Sequence, residues 1–559
     1  MDPISIGASQ LQLEIRSSEG KLRGNDTGEK AEDAFKEVIT SCRSLSSFET
    51  NTLKSAIPQI NAAIAAASFH VYVGIALSYS AVLVPQIESP DSDIPQASKN
   101  LTSLCASIVV LMVPIGSLIA GYLMDKIGRA NTIKVAIFPA VTGFVIVATA
   151  PDVYFILAGR IFMGIACAIG TSPAYVYITE VARPDLRGSL ISSAPTIASL
   201  GMCLAYIGGA IFDWRTTAWL AIIFAILPVI LVQLFVVESP VYLVSKGRIE
   251  DAAKSLTYLY KNYPKPDQNE SLADMHLRAL LRDNEKKIIG NSKLPPEEAL
   301  KENKKPSFCQ TLHEFKKPTG YKPLLILFFL FFIQQFSGIY ITLFYSVTFL
   351  QDAGADEIDP FISSIFLGVV RFVMSLLNAW LLRKFKRRFL IMVSSFFMAA
   401  FMFISGAVTI WIEEGANEMR IVPVICLLGF VCTSMIGLLS IPWTLTAEMF
   451  PTSIRSTGHS IIFSVANILM FIAVQCYRPL LSILGGSHAV QWFFALFAIF
   501  GFFFGLCILP ETHGKKLSEI EAYFEKKSPA RNRVNASDIY SVSVNNKEIE
   551  QMLKRKDTA

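Results

Sequence analysis

Charge is what this chain has least of. Of its 559 residues only 17% are Asp, Glu, Lys or Arg, against about 25% in soluble domains, while 52% are hydrophobic and the mean hydropathy is +0.46. A chain this long and this apolar is not a string of soluble domains. The net charge of +5 is small for the length and gives no basis for a nucleic-acid partner. Nine cysteines stand singly, mostly inside apolar runs as at Cys105, Cys167, Cys203 and Cys432. No CxxC pair or metal spacing occurs, so they read as small buried hydrophobes. Walker loops, zinc spacings and serine elbows are also lacking, so neither an enzyme nor a cofactor is expected. The polar start carries no basic stretch followed by an apolar core, so no cleavable signal peptide is expected and the amino terminus is expected in the cytoplasm.

What is there is a series of apolar runs, each long enough to cross a ~30 Å hydrocarbon core as a helix. They lie near Ala62–Val84, Leu104–Leu123, Val135–Ala150, Val153–Val176, Leu190–Phe212 and Ala218–Val237. After a polar stretch from Glu238 to Lys322 come Leu324–Leu350, Phe361–Leu382, Phe389–Ile412, Ile421–Leu445, Ile461–Cys476 and Val490–Leu509. Lys and Arg concentrate on alternate connections: Lys126 and Arg129, Arg183 and Arg187, the cluster Arg383, Lys384, Lys386, Arg387 and Arg388, and Arg455. The other connections hold few, and Asp352, Asp356, Glu357 and Asp359 stand together without a base. The bias places both termini and the central linker inside.

The second half repeats the first. Glu180, Pro184 and Arg187 after the fourth run recur as Glu448, Pro451 and Arg455 after the tenth, basic clusters follow the second and eighth, and Glu238 and Glu511 close the sixth and twelfth. The expected architecture is an all-α membrane protein of 12 transmembrane helices in two six-helix halves with a cytoplasmic linker. Its parts are a tail over 1–58, a half over 59–237, a linker with short helices over 238–322, a half over 323–509 and a tail over 510–559.

The ordered strings GYLMDKIGRA at Gly121–Ala130, GR at Gly159 and Arg160, YITEVARPDLRG at Tyr177–Gly188, ESP at Glu238–Pro240, QQFSG at Gln334–Gly338, IPW at Ile441–Trp443 and PETHGKKLSEIE at Pro510–Glu521 resemble the sugar porters of the major facilitator superfamily, from about Ala62 to Glu525. Pro195 and the pattern from Gly74 to Ser80 resemble the insect facilitated trehalose transporters within it. The resemblance implies the major facilitator fold and, at Asp125, Arg129, Glu180, Arg187, Glu238, Arg387, Glu448 and Arg455, an inner gate of salt bridges. These residues could instead serve only positive-inside insertion. Arg383 and Lys386 stand where the family usually has an acid and a glycine, which leaves one gate pair open to question.

Sugars are recognised by amides and hydroxyls that bond their many hydroxyl groups and by aromatic faces against the ring. The resemblance puts Gln334, Gln335, Trp443 and Asn467 at substrate positions, with helix-to-helix hydrogen bonding or core packing as the alternative for each. Trp443 follows Pro442, which is expected to break the tenth helix. Three family substrate positions are changed, to Pro195, Tyr340 and Arg371. Arg371 stands near the bilayer midplane with no mid-helix carboxylate to pair it, which leaves carbonyls of a broken helix, Tyr340, water or a ligand. His70 has no second ligand nearby and reads as a hydrogen-bonded packing residue. Proton-driven members carry a carboxylate at about Ala76, and no Asp or Glu occurs between Ala62 and Val84. The expectation is a facilitative, alternating-access carrier of trehalose or a hexose in the plasma membrane, its partners being the sugar and the bilayer. A carrier of an organic anion or other polar metabolite, argued from Arg371, and a non-transporting nutrient sensor, argued from the tail after Glu525, are the rival readings.

Overall fold

The computed structural model describes residues 56–261, 272–290, 315–354, 359–415, 417–451, 454–513, 520 and 523–524. Among them every regular element is a helix. Twelve helices are long and apolar enough to cross a membrane: Ile57–Glu88, Lys99–Ile127, Arg129–Ala148, Val153–Val181, Leu186–Ile211, Trp214–Phe235, Pro318–Phe336, Pro360–Leu382, Arg387–Glu413, Val422–Thr446, Thr457–Leu484 and Ser487–Cys507. Each overlaps an expected run, and this is a multi-pass membrane protein with an all-helical fold. Several helices outrun the apolar stretch, the third beginning at Arg129 rather than Val135. Hydropathy marks the part in hydrocarbon, whereas the helix continues for a turn or two among polar groups.

Local sequence fixes the ends. Asp152 accepts hydrogen bonds from the backbone N–H groups of Tyr154 and Phe155, and Asp213 from those of Arg215 and Thr216, so each caps the helix that follows. Asp359, met above only as part of an acidic cluster, accepts from Phe361 N–H at 2.8 Å and starts the eighth span in the same way.

Two spans are interrupted, the seventh, which hydropathy reads as continuous, and the tenth, where the break expected at Pro442 falls just before it. The seventh span stops at Phe336 and resumes as Ile341–Phe344 and Ser346–Asp352, and the tenth opens over 437–440 between Val422–Ile436 and Ile441–Glu448. Gly338 sits in the first break with φ +87, and a Cβ there would stand 2.5 Å from the Phe494 ring, so only glycine fits.

The described residues form two compact units. The first takes those of 1–305 with 343–348 and 359–379. Its first and fifth spans touch backbone to backbone, since a Cβ on Gly74 would overlap Ala198 O and one on Gly201 would overlap Val71 O. Tyr206 donates to Leu343 O at 3.0 Å, and the Tyr345 and Ser103 hydroxyls lie 2.8 Å apart. A Cβ on Gly368 would come within 2.9 Å of Cys203 Cα. Short helices Pro240–Ser245, Ile249–Leu259 and Leu272–Gly290 pack through Tyr242, Leu243, Leu256 and Leu277. The second unit takes the described residues of 306–342, 349–354 and 380 onward, with the ninth span packed against the tenth and twelfth.

Candidate functional site

Two charge clusters, one in each unit, repeat the same construction. In the first, Arg129 grips Glu180 with two parallel bonds, Nε to Oε2 at 3.1 Å and Nη2 to Oε1 at 2.9 Å. Glu238 Oε1 accepts from the backbone N–H groups of Arg129 at 2.8 Å, Ala130 at 3.2 Å and Ser239 at 3.0 Å, and the Ser239 hydroxyl donates to Glu180. The Arg129 guanidinium also lies 5.0 Å from the Tyr242 ring centre. Gly128 makes the approach possible, because its φ is +93 and a Cβ would overlap the Glu238 carboxylate.

In the second cluster Glu511 accepts from the backbone N–H groups of Arg387 at 3.1 Å and Arg388 at 3.2 Å. Arg387 Nη2 reaches Glu448 Oε1 at 3.2 Å, and the Thr512 hydroxyl donates to Glu448 Oε2 at 2.7 Å. Arg129, Glu180, Glu238 and Ser239 therefore match Arg387, Glu448, Glu511 and Thr512. Where the first copy has Gly128, the second has Lys386 at φ −66. The backbone takes another path, and Arg387 makes one bond to its carboxylate instead of two. Its Nε has no partner among the described residues. The Glu448 side chain is 32% exposed, against 15% for Glu180. Asp125 and Arg187 are exposed, and Arg187 Nη2 lies 3.4 Å from Ala182 O. The side chains of Arg383 and Arg455 lie outside the described residues.

Five of the six expected substrate residues fall in the second unit, beside its two helix breaks. Gln334 Nε2 donates to Leu438 O and Leu439 O, each at 2.8 Å, and Gln334 Oε1 accepts from Gln335 Nε2 at 3.2 Å. Gln335 Oε1 is buried with no partner among the described residues. Trp443 Nε1 donates to the Tyr340 hydroxyl at 3.1 Å, and its ring lies 4.7 Å from Phe331 and 5.6 Å from Phe463. Asn467 Nδ2 donates to Phe463 O at 2.8 Å. Arg371 belongs to the first unit, where it is 5% exposed and within electrostatic reach of Tyr206.

A family model described as sugar (and other) transporter matches residues 59–524. The chain belongs to the sugar (and other) transporter family. Among curated members, the facilitated trehalose transporter Tret1 of Apis mellifera ligustica is 28% identical, over 83% of this chain and 88% of its own length. The facilitated glucose transporter member 8 of solute carrier family 2 from Bos taurus is 26% identical, over 83% of this chain and 94% of its own. The Drosophila yakuba Tret1 is 27% identical, and the match spans about half of its length, 51%. The xylose transporter XylE from E. coli, in a partially occluded inward-open conformation, superimposes with a TM-score of 0.64 at 20% identity, over 82% of this chain and 99% of that one. At that identity the likeness carries the fold, and the relatives here are transporters rather than enzymes.

Within this family member, sequence reasoning quoted Arg160 but gave it no task. It is wholly buried, and it donates from Nε to Cys105 O at 3.0 Å, from Nη1 to Ala76 O at 2.7 Å and from Nη2 to the Ser80 hydroxyl and Ala106 O. Ser239 and Thr512 were also missed, though each follows its repeated glutamate by one residue and so was legible. His70 Nδ1 lies 2.9 Å from Ala67 O, and its ring meets Tyr175 edge-on at 5.1 Å.

The two clusters differ in a way that can be measured. A charge-assisted pair contributes about 1.5–3 kcal/mol. Glu180→Gln, which weakens two bonds in an enclosed cluster, is expected to lower the thermal midpoint of the purified protein more than Glu448→Gln. Equal shifts in a melting assay would contradict the unequal geometry.

Proposed function

We propose that this chain carries a sugar, trehalose or a hexose, across the plasma membrane by alternating access and without an ion gradient. The carrying observation is that Gln334, Gln335, Tyr340, Trp443 and Asn467 lie on the elements around two interrupted helices, with Gln334 bonded to the tenth-span break and Trp443 to Tyr340. Amides and aromatic faces are what a ring of hydroxyls needs, and irregular backbone at membrane depth lines substrate sites in carriers. The names of the trehalose and glucose transporters that it resembles support the same substrate class.

Two six-helix halves, 59–237 and 323–509, would rock about these residues, joined by the linker 238–322 and flanked by the tails 1–58 and 510–559. Asp125, Arg129, Glu180, Arg187 and Glu238, with Arg387, Glu448 and Arg455, form the inner gate in this reading. Both termini and the linker are cytoplasmic, as the Lys and Arg bias supports. A tag inserted within 291–305 should be protected in intact cells and one after Asp352 exposed. The opposite labelling would reverse the orientation.

Facilitated rather than proton-coupled transport is supported at Ala76. There the buried Arg160 meets a backbone carbonyl, and the first span holds no Asp or Glu before Glu88. In liposomes holding the purified protein, labelled trehalose or D-glucose should equilibrate and stop, with a protonophore without effect. Accumulation beyond equilibrium, abolished by the protonophore, would overturn this.

Arg371 favours a second reading, in which the substrate is an organic anion or another polar metabolite. A mid-membrane guanidinium is costly enough to need a task, and a substrate oxygen would supply one. Arg371→Asn, the usual family residue, is expected to shift preference toward ordinary hexoses by about tenfold, the worth of one hydrogen bond to a charged group. Unchanged KM values across a substrate panel, with normal surface expression, would return Arg371 to a structural role.

A further inference from the structure

We propose that His459 is a further substrate-contacting residue, an oriented acceptor that takes one sugar hydroxyl on the wall of the path; this rests on the sugar-transport reading above. His459, Phe463 and Asn467 are spaced by four and share one face of the eleventh span. The Phe463 ring lies 5.6 Å from Trp443 and 6.0 Å from His459, so the imidazole extends the set already described by one helical turn.

The ring is held in a defined orientation. Its Nδ1 lies 2.8 Å from the hydroxyl oxygen of Thr446, which is wholly buried in the second segment of the broken tenth span. The same hydroxyl lies 2.7 Å from the Trp443 carbonyl. A hydroxyl has one proton, and a carbonyl can only accept, so the Thr446 proton goes to Trp443 O. Thr446 then accepts from His459, which fixes the tautomer with the proton on Nδ1. The lone pair is left on Nε2, and the His459 side chain is exposed with no hydrogen bond to Nε2 among the described residues.

The rest of the set points to the same ligand chemistry. Gln334 Nε2, Trp443 Nε1 and Asn467 Nδ2 are engaged within the protein, whereas Gln335 Oε1 has no partner among the described residues. Gln335 Oε1 and His459 Nε2 are acceptors, and the Gln335 and Asn467 amides each have one N–H beyond the bond described. A polyol hydroxyl can donate to the acceptors and accept from the N–H groups, whereas a carboxylate can only accept, so this wall of the second unit favours the sugar over the anion.

The test uses the full chain in liposomes and initial uptake of labelled trehalose and D-glucose. His459→Phe keeps the ring and removes the acceptor, and it should raise KM about fivefold at unchanged kcat, as for one neutral hydrogen bond. One monodeoxy derivative of the transported sugar should then no longer be distinguished from its parent. Thr446→Val, which releases the ring and the Trp443 carbonyl but keeps the imidazole, should raise KM by less. A second readout is carbethoxylation of wild-type His459 by diethyl pyrocarbonate, followed by mass spectrometry, and the transported sugar should slow it. Wild-type uptake with an unchanged KM in His459→Phe, or modification equally fast with and without sugar, overturns the role of His459 and leaves the carrier reading standing. Absence of wild-type uptake of both sugars overturns the two together.

Discussion

Lipid offers no hydrogen bonds, and every other feature of this protein is arranged around that fact. A buried backbone group left unpaired in hydrocarbon costs several kcal/mol, so a chain that opens a helix at membrane depth must bring side chains to the opening. At the break in the tenth span, Ser394 Oγ accepts from Leu438 N–H at 3.0 Å and donates to Thr433 O at 2.8 Å. Gln334 binds both the Leu438 and Leu439 carbonyls. One serine and one glutamine thus replace the helical bonds that 437–440 forgo. The two adjacent glutamines divide the work: Gln334 has both ends of its amide engaged, and Gln335 keeps an open acceptor.

At the helix ends the same accounting is done with charge. Glu238 and Glu511 each take backbone N–H groups that open a span, the third and the ninth. Each then stands beside an Arg–Glu pair buttressed by a hydroxyl from the next residue, Ser239 or Thr512. Duplication supplied the plan twice, and one backbone angle separates the copies. Gly128 can adopt φ +93 and admit a carboxylate against its Cα, whereas Lys386 holds φ −66. The first copy is accordingly enclosed and bidentate and the second more open and single.

Much of this was legible in the sequence. Twelve apolar runs gave twelve spans because the hydrocarbon thickness fixes their length, and the repeated Glu–Pro–Arg strings with the closing Glu238 and Glu511 placed the charge clusters at helix ends. The tenth break was signalled by Pro442, whereas the seventh was not legible as a break. Residues 337–340 and 437–440 read Ser-Gly-Ile-Tyr and Gly-Leu-Leu-Ser, apolar enough to stay inside the runs Leu324–Leu350 and Ile421–Leu445, and hydropathy does not register where hydrogen bonding stops. His459 was passed over for a different reason. Its meaning comes from Thr446 and Trp443, which are brought to it only when the tenth span re-forms as Ile441–Glu448. The contact of Tyr206 with Leu343 O likewise joins residues 137 apart in sequence, which no local pattern signals.

The two buried arginines within the spans, Arg160 and Arg371, bear on how a carrier of this kind could be driven. A guanidinium does not release its proton in a protein, so neither Arg160 nor Arg371 can carry one across. Arg160 is held by three backbone carbonyls and a serine hydroxyl, acceptors that have no charge to change during a cycle. A carboxylate at Ala76 would alternate between pairing with this cation and taking up a proton, and that alternation is what couples a proton to movement. With a carbonyl in its place the interaction has one state. Arg160 then ties the first, second and fourth spans into a fixed body, and this supports the proposal that the gradient of the solute itself drives the cycle.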